Sequence, residues 1–557
     1  MKLNRKKILL LFVIPVFLHS CGIKKSMRQK PDTTGIERID TTRTVHSKTH
    51  YSIGKNSLYK NKYGIWELYV EGNALERGMI SGSLTRELMH KQETAFMNKI
   101  YELVPGKFYR NFLKKTVAWF NRKMYLHVPE EYQKEIYGTS LFGLEKYNDF
   151  APAYIRMLYF HGAHDIGHAL QDLMLVGCTS FAAWDKKTEN GELLLGRNFD
   201  FYAGDEFAKE KIAAFINPDK GHKFMMYTWA GMIGSVSGLN EKGVSVTLNA
   251  GKSSIPLQAK TPISLVAREI LQYASNTQEA IAIAKKREVF VSEAIMVGSA
   301  KERKAIIIEV APHNFGVYEV ENSNELICSN HFQSEPYADD KRNLKTIKNS
   351  HTQYRFDKMQ SLLENKNQLN PKKAVSILRN REGLQGTRLG MGNELAINQL
   401  LAHHGIVFKP ESRDVWVSAN PYQLGAFVNY NLREVFKKFE AGIVSKSVMN
   451  VEKTIAKDPF VESEAFKDYE AYRKLKTKVQ QAISEEKKLP EEQIKELQYL
   501  NPHFWKAYAV AGNYYFQKKE YKKAIIAYKQ AKRREVSSLE EKQYLEKMIR
   551  KCNRKIK

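Results

Sequence analysis

A chain of 557 residues is longer than a single hydrophobic core sustains, so two or three domains are expected. An apolar fraction of 43%, with aromatics throughout, excludes a disordered polymer over most of the length. The formal net charge of +27 raises nucleic acid and anionic membranes as partners, but no nucleic-acid motif accompanies it. A lysine-rich solvated exterior accounts for the charge, and no nucleic-acid partner is assigned.

Lys2, Arg5, Lys6 and Lys7 precede an apolar run at 8–18, and Leu18-His19-Ser20-Cys21 follows. The run is too short to span a bilayer. The pattern looks like a bacterial lipoprotein signal over residues 1–21, cut before a Cys21 that takes the lipid; an uncleaved anchor or plain signal peptide is the alternative. That reading predicts a cell-envelope protein held to a membrane by lipid and facing the periplasm or the exterior. Residues 22–62 are polar, basic and without apolar periodicity, and read as a flexible tether. Order is expected to begin at 63–71, where Ile65, Leu68 and Val70 suit a strand, and Glu71-Gly72-Asn73-Ala74-Leu75-Glu76-Arg77-Gly78 leads into a helical pattern. Residues 63–177 then read as mainly helical, with several amphipathic helices within 108–159. His161, His164 and His168 would share one helix face, which leaves a metal site, a histidine such as His164 lining a pocket, and plain structural histidines open. Two glycines among them weaken the helix and no further ligand pattern is present, so neither metal nor cofactor is assigned.

Gly177-Cys178-Thr179-Ser180-Phe181-Ala182-Ala183-Trp184 is followed, after a turn, by Gly196-Arg197-Asn198-Phe199-Asp200-Phe201. Residues 180–184 and 193–195 suit strands, and Asn190-Gly191 between them is a hairpin signal. Cys178 should therefore open a strand whose partner brings Arg197 and Asp200 alongside. The thiolate is the attacking form of cysteine and a nearby cation lowers the thiol's pKa, so the arrangement suits a nucleophile. Strands are predicted next at 224–229, in the glycine-spaced 231–238, and at 244–248 after the turn 240–243, with Asn249 at the end. Helical spacing covers 262–273 and 277–285, capped at Asn276 or Thr277. Strands return at 294–297, 305–310, 315–320 and 325–328, the last leading to Asn330. Runs apolar on both faces, such as 305–308, suit a sheet covered on both sides. Residues 342–364 and 372–380 read as polar surface helices, and 398–408 with 414–418 as a closing hairpin containing His404.

In order, spacing and strand-turn context, Gly177-Cys178, Arg197-x-x-Asp200, Asn249 and Asn330, together with the 71–78 segment, resemble the N-terminal nucleophile hydrolases. The branch is that of penicillin acyl-coenzyme A acyltransferases and choloylglycine (bile salt) hydrolases. The resemblance covers about 63–436. It implies an α+β protein built as a four-layer αββα sandwich, cut between Gly177 and Cys178 into a short chain 22–177 and a long chain 178–557, with the hydrolase core at 178–436. It further implies that Cys178 is both nucleophile and new N-terminus, and that Asp200 orients the freed α-amine while Arg197 holds the carboxylate or favours the thiolate. Asn249 and Asn330 would supply the oxyanion contacts, and His404 a pocket residue. An α-amine near pKa 8 beside a thiol near 8.5 makes proton exchange between them feasible near neutral pH.

From 437 to 557 the composition is helical and highly charged. Trp505, Tyr508, Ala511, Gly512, Tyr515, Ala524, Tyr528 and Ala531 match the tetratricopeptide (TPR) spacing over 505–538, with Val536 where proline is usual. One repeat cannot bury its own face, so a protein-binding module and a purely structural helical extension are both open. Cys328 and Cys552 could pair in an oxidising compartment, but Cys328 sits in an apolar run and reads as a small buried thiol. The expected activity is hydrolysis of the amide of a small N-acyl compound through a thioester acyl-enzyme. The alternatives are acyl transfer from a thioester or ester to an amine or hydroxyl, and a non-enzymatic TPR-type binding lipoprotein.

Overall fold

Alternation along the strands decides which layer each side chain enters. In the computed structural model, which describes residues 22–34, 39–162, 177–254, 256, 258–364, 368–442 and 446–556, Ala213, Phe215, Met225 and Tyr227 face one core, while Ile212, Ala214, Phe224 and Met226 face another. Both faces of these strands are apolar, so both must be covered. The lipoprotein-like signal with Cys21, and also His164 and His168, lie outside the described residues.

The described residues form an eleven-stranded and a seven-stranded sheet. In the larger sheet, strands Thr44–Ser47, His50–Ile53, Asn56–Lys60 and Trp66–Gly72 run in chain order, and Trp66–Gly72 pairs in parallel with Ile212–Pro218. Phe224–Thr228, Ser237–Asn240, Val244–Ala250, Glu293–Ser299, Lys304–Ala311 and Asn314–Tyr318 complete it. The smaller sheet places Glu325–Cys328 beside Thr179–Asp185, then Gly191–Phe199, His404–Lys409, Asp414–Ser418, Phe427–Asn431 and Asn450–Ile455.

Three stacked cores show the layering. Tyr69, Phe215, Met296 and Ile307 meet Leu193, Leu195, Ile406 and Val417 between the sheets. The far face of the larger sheet packs under helices Arg86–Leu103 and Ile263–Tyr273, through Leu88, Met89, Val266 and Ile270. The far face of the smaller sheet packs under Thr352–Glu364 and Pro371–Leu378, through Met359, Leu363, Val375 and Ile377. The architecture is the four-layer αββα sandwich, followed by the helices Glu464–Ser484, Glu491–Leu500, Trp505–Gln517, Tyr521–Lys532 and Leu539–Ile556. Gly512 is needed in that extension, because a Cβ there would lie 2.6 Å from the Tyr528 ring. Cys328 and Cys552 are buried free thiols, not a disulfide.

Three details differ from the sequence reading. The segment 22–62, read as a tether, contains the first three strands of the larger sheet, Thr44–Ser47 being its edge; their few apolar anchors, Ile53 and Leu58, stand among polar residues and so carry no visible periodicity. The helix Thr352–Glu364, read as a surface helix, buries Arg355, Met359 and Leu363 on one face. The core continues past 436 to the edge strand Asn450–Ile455, whose Val451 and charged neighbours are exposed.

The helices preceding Cys178 are tied to those following it. Glu135, on Glu130–Ser140, accepts from Arg77 at 2.7 Å and from Arg268, on Ile263–Tyr273, at 3.2 Å. Burial works to raise the carboxyl's pKa, but Arg268 and Arg77 outweigh it and the group is held below its ordinary range. Removing the charge leaves the buried Arg268 without its carboxylate and Arg77 with only the more exposed Glu131 and Asp219. Glu135→Gln should lower the unfolding free energy by about 3–5 kcal/mol, read from urea midpoints at unchanged slope.

Candidate active site

The hairpin puts Cys178 in the seam between the sheets. Thr179 pairs with Asn198 and Ser180 with Arg197, so Cys178, Ser180, Arg197 and Phe199 fall on one face. That face looks at the ends of Val244–Ala250 and Ser237–Asn240 from the larger sheet.

Arg197 is wholly buried and organises the seam. One terminal nitrogen donates to Ser237 Oγ at 2.8 Å and to Val236 O at 3.2 Å; the other donates to Leu248 O and reaches Cys178 Sγ at 3.6 Å. Its guanidinium also lies 4.2 Å over the Phe199 ring. Burial raises the Cys178 thiol to about 11, with Arg197 the main opposing influence. Behind Ser237, His404 makes a 2.9 Å contact with its Oγ, and the His404 and His403 rings meet Nδ1 to Nδ1 at 2.9 Å. Burial, then the neighbouring His403, depresses His404 well below the usual histidine range, so it is neutral at neutral pH. It supports Ser237 and Arg197 and does not face the thiol directly.

Asp200 sits just beyond the strand. Its backbone carbonyl accepts from Gly177 N–H at 3.2 Å, and its side chain accepts from Gln423 at 3.3 Å, while Oδ2 has no hydrogen-bond partner among the described residues. Burial lifts its carboxyl to about 7 against the pull of Arg355 and Arg197.

The two asparagines stitch the sheets together. Asn249 accepts from Ser180 Oγ at 2.7 Å and donates to Cys328 O at 3.0 Å and Ser329 O at 3.4 Å. Asn330 donates to Ala250 O at 2.9 Å and accepts from Arg355 at 2.6 Å. An amide nitrogen carries two hydrogens, so Asn249 uses both on backbone carbonyls and Asn330 keeps one. His161 serves a structural role, contacting Met157 O and accepting from Ile233 N–H.

Arg355, Gln399 and Gln423 are site residues that sequence reasoning missed. Arg355 is wholly buried and donates to Cys178 O at 2.7 Å, to Thr179 Oγ1 and to Asn330, bracing the cysteine from the helix side. Gln399 donates to Gly177 O at 3.2 Å. None of the three stands in a recognisable motif; the only signal for Arg355 is its i, i+4, i+8 spacing with Met359 and Leu363.

Next to the seam is a cleft partly open to solvent and lined by Met89, Phe96, Phe160, Phe201, Phe207 and Trp229 among others. The Phe199 ring lies parallel to Phe201 and Trp229, with centroids at 5.6 and 6.5 Å, and so joins the cleft to Arg197.

Residues 186–419 match the model of the acyl-coenzyme A:6-aminopenicillanic acid acyl-transferase family. The N-terminal nucleophile resemblance is borne out with it. An uncharacterised protein of Archaeoglobus fulgidus is 25% identical over 278 residues, 46% of this chain and 45% of that protein. Protein dcd1B of Dictyostelium discoideum is 24% identical over 280 residues, 47% of this chain and 54% of its own. The chain thus aligns with about half the length of the curated relatives it matches. Among solved structures, the N-acylethanolamine-hydrolyzing acid amidase ortholog of Caenorhabditis elegans covers 42% of this chain and 93% of its own, at 19% identity and TM-score 0.30. A mutant of the conjugated bile acid hydrolase of Clostridium perfringens covers 43% and 89%, at 12% identity and TM-score 0.29.

The raised Asp200 pKa has a consequence for stability. A carboxyl moved from an ordinary 3.8 to about 7 is neutral in the fold; its contribution is fully present below about 3.8 and is lost as pH rises through about 7. In an uncut Cys178→Ala chain, Asp200→Asn should therefore gain on its parent by a few kcal/mol between pH 4 and pH 8, read from urea midpoints. Equal midpoint shifts at both pH values would show that a cation already compensates the carboxylate.

Proposed function

We propose that this chain is a self-processing cysteine amidase that cleaves small N-acyl compounds through a thioester. The observation carrying the reading is the buried Gly177-Cys178 junction, with Sγ 3.6 Å from the guanidinium of Arg197, a residue of the segment 186–419 that matches an acyl-transfer family. The uncut site is restrained. A thiol lifted to about 11 is protonated at neutral pH and attacks poorly. Cutting before Cys178 frees an α-amine with a pKa of about 8, which becomes the base for its own thiol. Asp200, whose Oδ2 has no partner among the described residues, is the group to hold that ammonium, and charging the pair removes the penalty that burial imposes on the carboxylate alone.

In turnover the Cys178 thiolate attacks the substrate carbonyl and the C–N bond breaks as the α-amine protonates the leaving amine. Water then resolves the thioester to the acid. The free hydrogen of Asn330, and Asn249 once it releases a backbone carbonyl, supply donors for the oxyanion. The aromatic cleft favours an apolar acyl chain. Lipid attachment at Cys21, an envelope location and a protein partner for the C-terminal helices belong to the same proposal. A second reading, acyl transfer to an amine acceptor, is favoured by the matched family's description.

Product analysis separates the two. The amidase should release free acid from N-acyl amides without an added acceptor, and Cys178→Ala should lower that release roughly 10³-fold or more. Acyl product formed only when an amine is supplied would establish the transferase instead.

A further inference from the structure

In this structure the Gly177 carbonyl, which becomes the oxyanion in self-cleavage, is met by a side chain from a distant part of the chain. Gln399, 3% exposed, donates to it from Nε2 at 3.2 Å. The approach is close enough that a Cβ on Gly177 would lie 2.7 Å from that nitrogen. Asn249, by contrast, spends both donors on the Cys328 and Ser329 carbonyls, and Asn330 one of its two on Ala250 O.

Gln399 is held by the helical extension. The next residue, Leu400, takes φ of 52°, a left-handed conformation that costs a non-glycine residue about 1 kcal/mol or more. Its carbonyl accepts from Tyr469 Oη at 3.0 Å, and its side chain packs with Tyr469, Phe504 and Trp505. Upstream in the same loop, Asn501 exchanges hydrogen bonds with the Met391 backbone at 2.8 and 3.1 Å, Asn393 donates to Glu535 O at 3.0 Å, and Lys506 pairs with Glu394. A Cβ on Gly390 would collide with the Phe504 backbone at 2.3 Å. The loop is moulded to the helices at several points, and Gln399 lies at its end.

We propose that Gln399 is the oxyanion donor for self-cleavage at Gly177-Cys178, and that the C-terminal helices hold it in place. This rests on the self-processing reading. In the step, Cys178 Sγ bonds to the Gly177 carbonyl carbon and Gln399 stabilises the charge on the oxygen. The Gly177–Cys178 C–N bond breaks, and the nitrogen takes up the thiol's proton and one from solvent to leave as the α-ammonium. Water cleaves the resulting thioester, giving the Gly177 carboxylate and the free thiol. The helical extension is on this account part of the maturation machinery.

The test follows the appearance of the fragment beginning at Cys178 in freshly expressed full-length protein. Gln399→Ala should slow it by about 10²–10³. Gln399→Glu should recover relative to Gln399→Ala on acidification, because a protonated carboxyl donates where a carboxylate does not; a merely structural role would show no such pH dependence. Tyr469→Phe, which removes the hydrogen bond to Leu400 O and none to Gly177 or Cys178, should slow cleavage by a smaller factor. Cleavage of Gln399→Ala at the wild-type rate, or of Gln399→Glu with the same pH profile as Gln399→Ala, would overturn the assignment and leave self-processing standing. An uncut wild type would overturn both.

Discussion

A buried cation in the seam between two sheets is the constraint from which the rest follows. Among the described residues no carboxylate hydrogen-bonds to Arg197; its terminal nitrogens donate to Ser237, the carbonyls of Val236 and Leu248, and the Cys178 sulfur, while Nε has no partner. A guanidinium so placed is costly unless its hydrogens are used and a negative charge is near. The larger sheet contributes the carbonyls, the smaller sheet the arginine and the cysteine, and His404 braces Ser237 from behind. Misplacing either sheet would leave the charge unsolvated, so the same requirement that packs the sandwich also sets the thiol beside a cation.

Burial restrains the site in the uncut chain. The same dry seam that strengthens the Arg197–Cys178 attraction raises the thiol to about 11 and Asp200 to about 7. A free α-amine changes that balance by adding a base and a cation together. The helices before Cys178 are joined to the rest of the fold through the parallel pairing of Trp66–Gly72 with Ile212–Pro218 and through Glu135 beneath Arg77 and Arg268. Cleavage at Cys178 therefore need not release the preceding segment.

Local features of the sequence were easier to read than distant ones. The Asn190-Gly191 hairpin, the two-faced apolar strands and the strand-terminal Asn249 and Asn330 obey short-range rules, and the structure carries them where the spacing puts them. Arg355 and Gln399 did not stand out. Each enters the site from an element 176 or more positions away in sequence, and a charged residue on a polar helix or an amide in a loop looks solvated until tertiary packing buries it. The strands at 44–60 were hidden for the opposite reason: they are only four or five residues long, the outermost is wholly exposed, and the most buried of them begins with the polar Asn56 and Ser57. The docking of the C-terminal helices on the loop at 389–400 left no periodic trace, since it runs through Asn501, Tyr469 and backbone carbonyls.

The claim on which the rest depends is that Cys178 becomes a chain terminus. Denaturing mass spectrometry of the purified protein beside its Cys178→Ala variant measures this directly. The account predicts two polypeptides from the wild type, the larger beginning at Cys178, and one uncut polypeptide from the variant. A single intact chain from the wild type would leave Cys178 without a free amine and contradict the account.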